Sequence, residues 1–163
     1  MRARRAAATG GLFAFVALAS FAAVAAALVS QHVYRMEPCA WCVLQRLIFL
    51  VMGAVALLGL AWRGRIGSLV VGSDVLLLAL CGLASALWQH FVAAGSASCK
   101  LTLADRIVNA TTLNNLLPDV FEARASCADA AVDLFGVPYA FWAAALFVLC
   151  AAAMVRAISV AAH

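Results

Sequence analysis

Two cysteines separated by two residues follow a proline and precede an arginine: Pro38-Cys39-Ala40-Trp41-Cys42, then Gln45-Arg46. Proline cannot continue a preceding helix but suits the start of a new one, so the spacing predicts Cys39 and Cys42 in a first helical turn. Cysteines three apart on such a turn can close a disulfide, and the unpaired amides and positive dipole end of the helix stabilise a thiolate. Arg46, four residues after Cys42, falls on the same face one turn further along. A guanidinium in that position lowers a thiol's pKa and can donate to an acceptor oxygen. The ordinary alternative is an arginine snorkelling to lipid headgroups.

Cys99 and Cys127 make a second candidate pair, 28 positions apart, and a bridge between them, taken alone, reads better as a structural staple than as a redox pair. Cys81 and Cys150 lie within long apolar runs and read as small packing residues of low reactivity. His90, close to the end of an apolar run, is either interfacial or part of an acceptor site. Asp74 is expected to be hydrated or paired with a nearby arginine such as Arg65. A zinc shell built from the four reactive cysteines is disfavoured by the wide gap in the second pair, and no metal site is assigned.

The elements that must position these residues follow from composition. Of 163 residues, 67% are hydrophobic and 11% charged, more apolar surface than a water-soluble domain of this size can hide, so the solvent is lipid. Four apolar stretches are long enough to cross a bilayer, at about 12–30, 43–62, 69–93 and 137–158. Backbone amides in lipid must be satisfied within each segment and strict alternation is absent, so the expected fold is an all-α four-transmembrane-helix bundle, a single domain over 1–163. The N-terminal Arg2, Arg4 and Arg5 before an apolar run imitate a signal peptide, but the run is longer than a cleaved one and is read as a retained span.

Basic residues set the expected orientation. Arg2, Arg4, Arg5, Arg63, Arg65 and Arg156 fall on one side, whereas the other side's long loop dilutes its basic residues with acidic ones, so both termini are expected in the cytoplasm. The net charge of +4 is then a topology signal, with no basic stripe for nucleic acid. A short outer loop (about 31–42) carries Cys39 and Cys42, and a long one (about 94–136) carries Cys99 and Cys127, in a compartment where disulfides persist. Between the latter two, Leu101, Leu103, Ile107, Val108, Leu113, Leu116 and Leu117 predict a short helix lying on the membrane surface. Trp41, Trp62, Trp88 and Trp142 all lie near span ends, as an aromatic belt would.

This combination resembles the DsbB family of disulfide bond formation proteins over nearly the whole chain, from the first span to Phe135-Gly136-Val137-Pro138. Gln45 departs from the glutamate often found there in the family. The resemblance implies a protein-disulfide:quinone oxidoreductase of the bacterial inner membrane, with its redox loops in the periplasm. The implied donor is a thioredoxin-fold oxidase like DsbA, which attacks Cys99 of a Cys99/Cys127 disulfide. Cys127 then attacks Cys39, Cys42 is released, and electrons pass to ubiquinone or menaquinone with Arg46, and by the same resemblance His90, at the quinone. Two other readings of four spans with loop cysteines are a scaffold with static disulfides and an enzyme of the vitamin K epoxide reductase type. The latter family places its CxxC in a later span.

Overall fold

A computed structural model describes residues 2–62, 64–95 and 103–162. Four long helices form its body: α1 (Arg2–Tyr34), α2 (Ala40–Ala61), α3 (Arg65–Trp88), which continues as a π-helical turn (Gln89–Ala93), and a last long helix at Tyr139–Ala162. Each is long and apolar enough to cross a bilayer, so the chain is a multi-pass, four-helix membrane bundle. Between the π-turn and the last helix lie three short helices, α4 (Leu103–Ala110), α5 (Leu113–Leu116) and α6 (Pro118–Phe121). A small antiparallel hairpin follows, β1 (Asp133–Leu134) with β2 (Val137–Pro138), before the last helix, α7.

The helices outrun the spans expected from hydropathy, because helical hydrogen bonding continues past the hydrocarbon until the backbone is turned aside. α1 ends where Arg35 takes a positive φ of 57°. α2 starts two residues later than a proline-led turn predicts: Cys39, at φ −86° and ψ 171°, is its N-cap, and Pro38 lies outside the helix. The hairpin is the element that an all-helical reading omits. Its two-residue turn, Phe135-Gly136, has both φ values positive, the backbone of a tight hairpin turn that only Gly136 adopts without cost.

Lipid offers no hydrophobic drive between helices, so the bundle is held by close packing. α3 packs mainly on α7 and α1 on α2, around a core that includes Phe13, Met52, Val75, Phe147 and Met154. Phe147 stacks on Phe49 with ring centroids 4.0 Å apart, and the edge of its ring lies where a Cβ on Gly82 would be. Cys150 is buried in this core as a free thiol, as a packing residue should be. Cys81 is also free but exposed on the bundle's outer surface, so it fills no core space. Asp74 is exposed as well, and Arg65 instead donates to the carbonyl oxygen of Ala162 at 2.7 Å, joining the ends of α3 and α7.

A second cluster sits at the end of the bundle where α2 begins. Ala104 and Val108 of α4 are buried with Trp41, Val43 and Leu44, and α4 packs on α2. Leu103, Leu116 and Leu117 are exposed, and three short helices stand in place of the one expected here. Trp41 is buried in this cluster against Trp88, with centroids 6.4 Å apart, and so does not belong to an aromatic belt.

Candidate functional site

The CxxC turn is shaped by its own sulfur. Cys39 Sγ accepts the backbone N–H of Cys42 at 3.4 Å, occupying the N-cap acceptor position that Ser or Asp usually fills. The two sulfurs stand 3.1 Å apart, about 1 Å longer than a disulfide bond.

The long loop is clamped onto this turn. The carbonyl oxygen of Pro38 accepts the backbone N–H groups of Arg124, at 2.9 Å, and Ala125, at 3.2 Å. Cys127, two residues further on, packs against the cluster that buries Cys39. Hydrogen bonding with Cys127 and with Cys42, together with burial, holds the Cys39 thiol well above the ordinary cysteine range. The same Cys39 contact draws the Cys127 thiol below that range, against the effect of its partial burial. Cys127 is thus in direct contact with Cys39, and its pKa shift favours the thiolate that exchange requires. Cys99, the fourth cysteine of the expected set, lies outside the described residues.

Arg46 does not snorkel. It is 6% exposed, and its guanidinium donates to Gln31 Oε1 (2.6 Å), to the carbonyl oxygen of Val120 (3.1 Å) and to that of Ala27 (3.3 Å). Gln31 in turn donates to the carbonyl oxygen of Asp119 at 3.2 Å, so α1, α2 and α6 meet at one side chain. Every one of these acceptors is neutral. Among the described residues no carboxylate is within ion-pair distance of Arg46, and a buried guanidinium without a counter-charge favours any negative charge that develops beside it.

Cys42 and Arg46 both line two cavities. One, about 480 Å³, opens among the loop residues Arg35, Glu37, Arg124 and Asp129. The other, about 250 Å³, is more apolar and is walled by Phe49, Trp142, Leu146 and Gln89. Its volume lies below the range of about 300–1,000 Å³ usual for whole drug-sized ligands, so it suits a single ring. Trp142 is fixed there by donating its indole N–H to the carbonyl oxygen of Leu134 at 3.3 Å, which gives the hairpin its place in the site.

His90 is not in the lining of this cavity. The π-turn carries it against Phe141 and Phe91, with centroids 4.5 and 4.9 Å away, and Gln89 takes the inward position. Gln89, missed in the sequence, donates from Nε2 to Cys42 Sγ at 3.2 Å and accepts at Oε1 from Gln45 Nε2 at 2.7 Å. Gln31, and Tyr139 in the lining of both cavities, were missed as well. The available signal was that Gln31, Gln45 and Gln89 are amides at the ends of otherwise apolar spans, where a polar side chain needs a partner.

The fold and the site define a class, a polytopic membrane protein with a cluster of cysteines at one end of a four-helix bundle. The family model described as "Disulfide bond formation protein DsbB" matches residues 9–157, and the chain belongs to that family. Among similar proteins, disulfide bond formation protein B of Pseudomonas syringae pv. tomato is 34% identical over 129 residues, which cover 78% of this chain and 76% of the relative. Disulfide bond formation protein B 1 of Pseudomonas savastanoi pv. phaseolicola is 35% identical over 133 residues, covering 80% and 78%. That of Herminiimonas arsenicoxydans is 31% identical over 141 residues, covering 86% and 88%. The family carries disulfide-forming oxidoreductase activity, and disulfide bond formation is the role it gives this chain.

Proposed function

We propose that this protein reoxidises a periplasmic thioredoxin-fold dithiol oxidase of the DsbA kind and passes the electrons to a membrane quinone. The bundle then lies in the bacterial inner membrane with its cysteine end in the periplasm, as the basic residues at the other end favour. The observation that carries the reading is the cavity that Cys42 and Arg46 share, mostly apolar in its other walls and lined by no carboxylate among the described residues.

The residues present fit a quinone headgroup. Phe49, Trp142 and Leu146 would flank a ring, and Arg46 would face a carbonyl oxygen. A quinone bound there supplies a sink for two electrons and two protons, so donor dithiol plus quinone gives donor disulfide plus quinol.

The chain's own residues supply the route to it. The donor thiolate opens a Cys99–Cys127 disulfide by attack on Cys99, bonding to it and releasing Cys127 as a thiolate. The donor's second thiolate then displaces Cys99, leaving with the donor disulfide. Cys127 attacks Cys39 of the Cys39–Cys42 disulfide, forming Cys39–Cys127 and releasing Cys42 as a thiolate. The clamp at Pro38 keeps the third of these exchanges short in range. Cys99 then attacks Cys127, remaking Cys99–Cys127 and releasing Cys39 as a thiolate, and Cys39 bonds to Cys42 as the electron pair of these two thiolates passes to the acceptor, remaking Cys39–Cys42. Arg46 holds the negative charge that moves from sulfur to acceptor oxygen, a role for which a fixed cation in a water-poor site is well suited.

The test is anaerobic. Purified protein is mixed with a reduced thioredoxin-fold donor and a soluble quinone, and quinol absorbance is followed. Turnover is expected in the wild type and its loss in Cys39→Ser and Cys42→Ser, and normal turnover in Cys42→Ser would rule the reading out.

A further inference from the structure

The Cys42 sulfur has a second neighbour besides Cys39 that the route above does not use. Gln89 Nε2 lies 3.2 Å from Cys42 Sγ, and Gln89 Oε1 accepts from Gln45 Nε2 at 2.7 Å. Both amides are buried, Gln89 at 4% and Gln45 at 6% exposure, and Cys42, Gln45 and Arg46 lie on one face of α2. An amide can turn either its oxygen or its NH2 group to a neighbour, and its other partner decides which. Here Gln45 Nε2 donates to Gln89 Oε1, and with that oxygen engaged the Gln89 NH2 group faces the sulfur.

We propose that Gln45 and Gln89 form a directional relay that stabilises negative charge on Cys42 when the Cys39–Cys42 bridge opens. Gln89 acts on the sulfur itself, as a catalytic residue, and Gln45 is a positioning residue that fixes the direction of the Gln89 amide. The π-helical turn supports the assignment. It begins at Gln89, and such single wide turns recur at functional sites. In this chain it separates the inward Gln89 from His90, which packs against Phe141.

The relay rests on the reading of Cys42 as the sulfur released from the bridge, and its test needs neither quinone nor donor protein. Full-length protein in detergent is reduced, and the alkylation rate of Cys42 is followed by mass spectrometry at neutral pH. In parallel, the Cys39/Cys42 couple is equilibrated against glutathione. A donor to a charged atom contributes about tenfold in an equilibrium, so Gln89→Leu is expected to slow Cys42 alkylation by about tenfold. It should also shift the couple about tenfold toward the disulfide, or about 30 mV lower in potential. Gln45→Met should shift both readouts the same way by less, and have no effect in a Gln89→Leu background, because an aligning residue has nothing left to align.

Independent, additive effects of the two substitutions would overturn the relay, as would unchanged alkylation and potential in Gln89→Leu. Should Gln89→Leu fail to assemble, Gln45→Glu decides. The substituted carboxylate can only accept, so Gln89 must turn its NH2 group to it and present oxygen to the sulfur, slowing alkylation, and an unchanged rate overturns the relay. A coupled shift in protein that fails to reduce quinone would support the relay and remove the proposed function.

Discussion

Arg124 donates its backbone N–H to the carbonyl oxygen of Pro38 at 2.9 Å, and this bond joins the long loop to the CxxC turn one residue before Cys39. Neither side chain is involved, so the clamp leaves no mark in residue type. Its result is the contact between Cys127 and Cys39, which loop length alone would make improbable, since ordering a long flexible loop costs conformational entropy.

The first expectation follows from that contact. In Cys42→Ser, Cys39 has lost its CxxC partner while Cys127 remains beside it, so a Cys39–Cys127 bridge should accumulate under mild oxidation. Mass mapping of non-reduced peptides reads it. Cys39 paired instead with Cys81 or Cys150 would show that the loops do not meet as described.

The pH dependence of labelling has a definite sign. The Cys127 thiol is drawn below its ordinary value by the hydrogen bond from Cys39, so its thiolate persists at lower pH than that of a free cysteine. Cys39 is held above its ordinary value and stays a thiol. In reduced protein near pH 7, iodoacetamide should therefore modify Cys127 before Cys39. Cys39→Ala should move the midpoint of the Cys127 alkylation profile to higher pH, because the donor that favoured the thiolate is gone.

Arg46→Lys keeps the charge but cannot reproduce the fork that reaches Gln31, Val120 and Ala27 together. Loss of one charge-assisted bond at the acceptor should raise the KM for quinone about 10- to 100-fold. Arg46→Ala should in addition lower thermal stability, since α6 and Gln31 lose their shared donor. Steady-state kinetics and a thermal melt separate the two effects.

Much of this was legible in the sequence and some was not, for physical reasons. Four spans follow from apolar length, and the CxxC with Arg46 follows from helical spacing, because both depend on local periodicity. Cys39 as N-cap, the π-turn that turns His90 aside, and the hairpin at Phe135-Gly136 depend on backbone angles that residue type restricts only weakly. Gln31 and Gln89 escaped notice because an amide gains meaning only from the group it meets, and those groups are remote in sequence.

Gly82 tests the scaffold beneath the site. A methyl group there would meet the edge of the Phe147 ring, which is fully buried and stacked on Phe49 and has no open space to move into. Gly82→Ala is expected to cost about 1–3 kcal/mol, read as a lower midpoint in thermal or denaturant unfolding in detergent. An unchanged midpoint would mean that α3 and α7 approach less closely than described.

Photoaffinity labelling with an azido-benzoquinone, mapped by mass spectrometry, tests most directly whether the cavity shared by Cys42 and Arg46 is where the electron acceptor binds. Label is expected on its walls, at Gln89, Trp142 or Leu146, competed away by unmodified quinone and reduced in Arg46→Ala. Competable label confined to the outward face of α3 around Cys81, with none on those walls, would contradict the account.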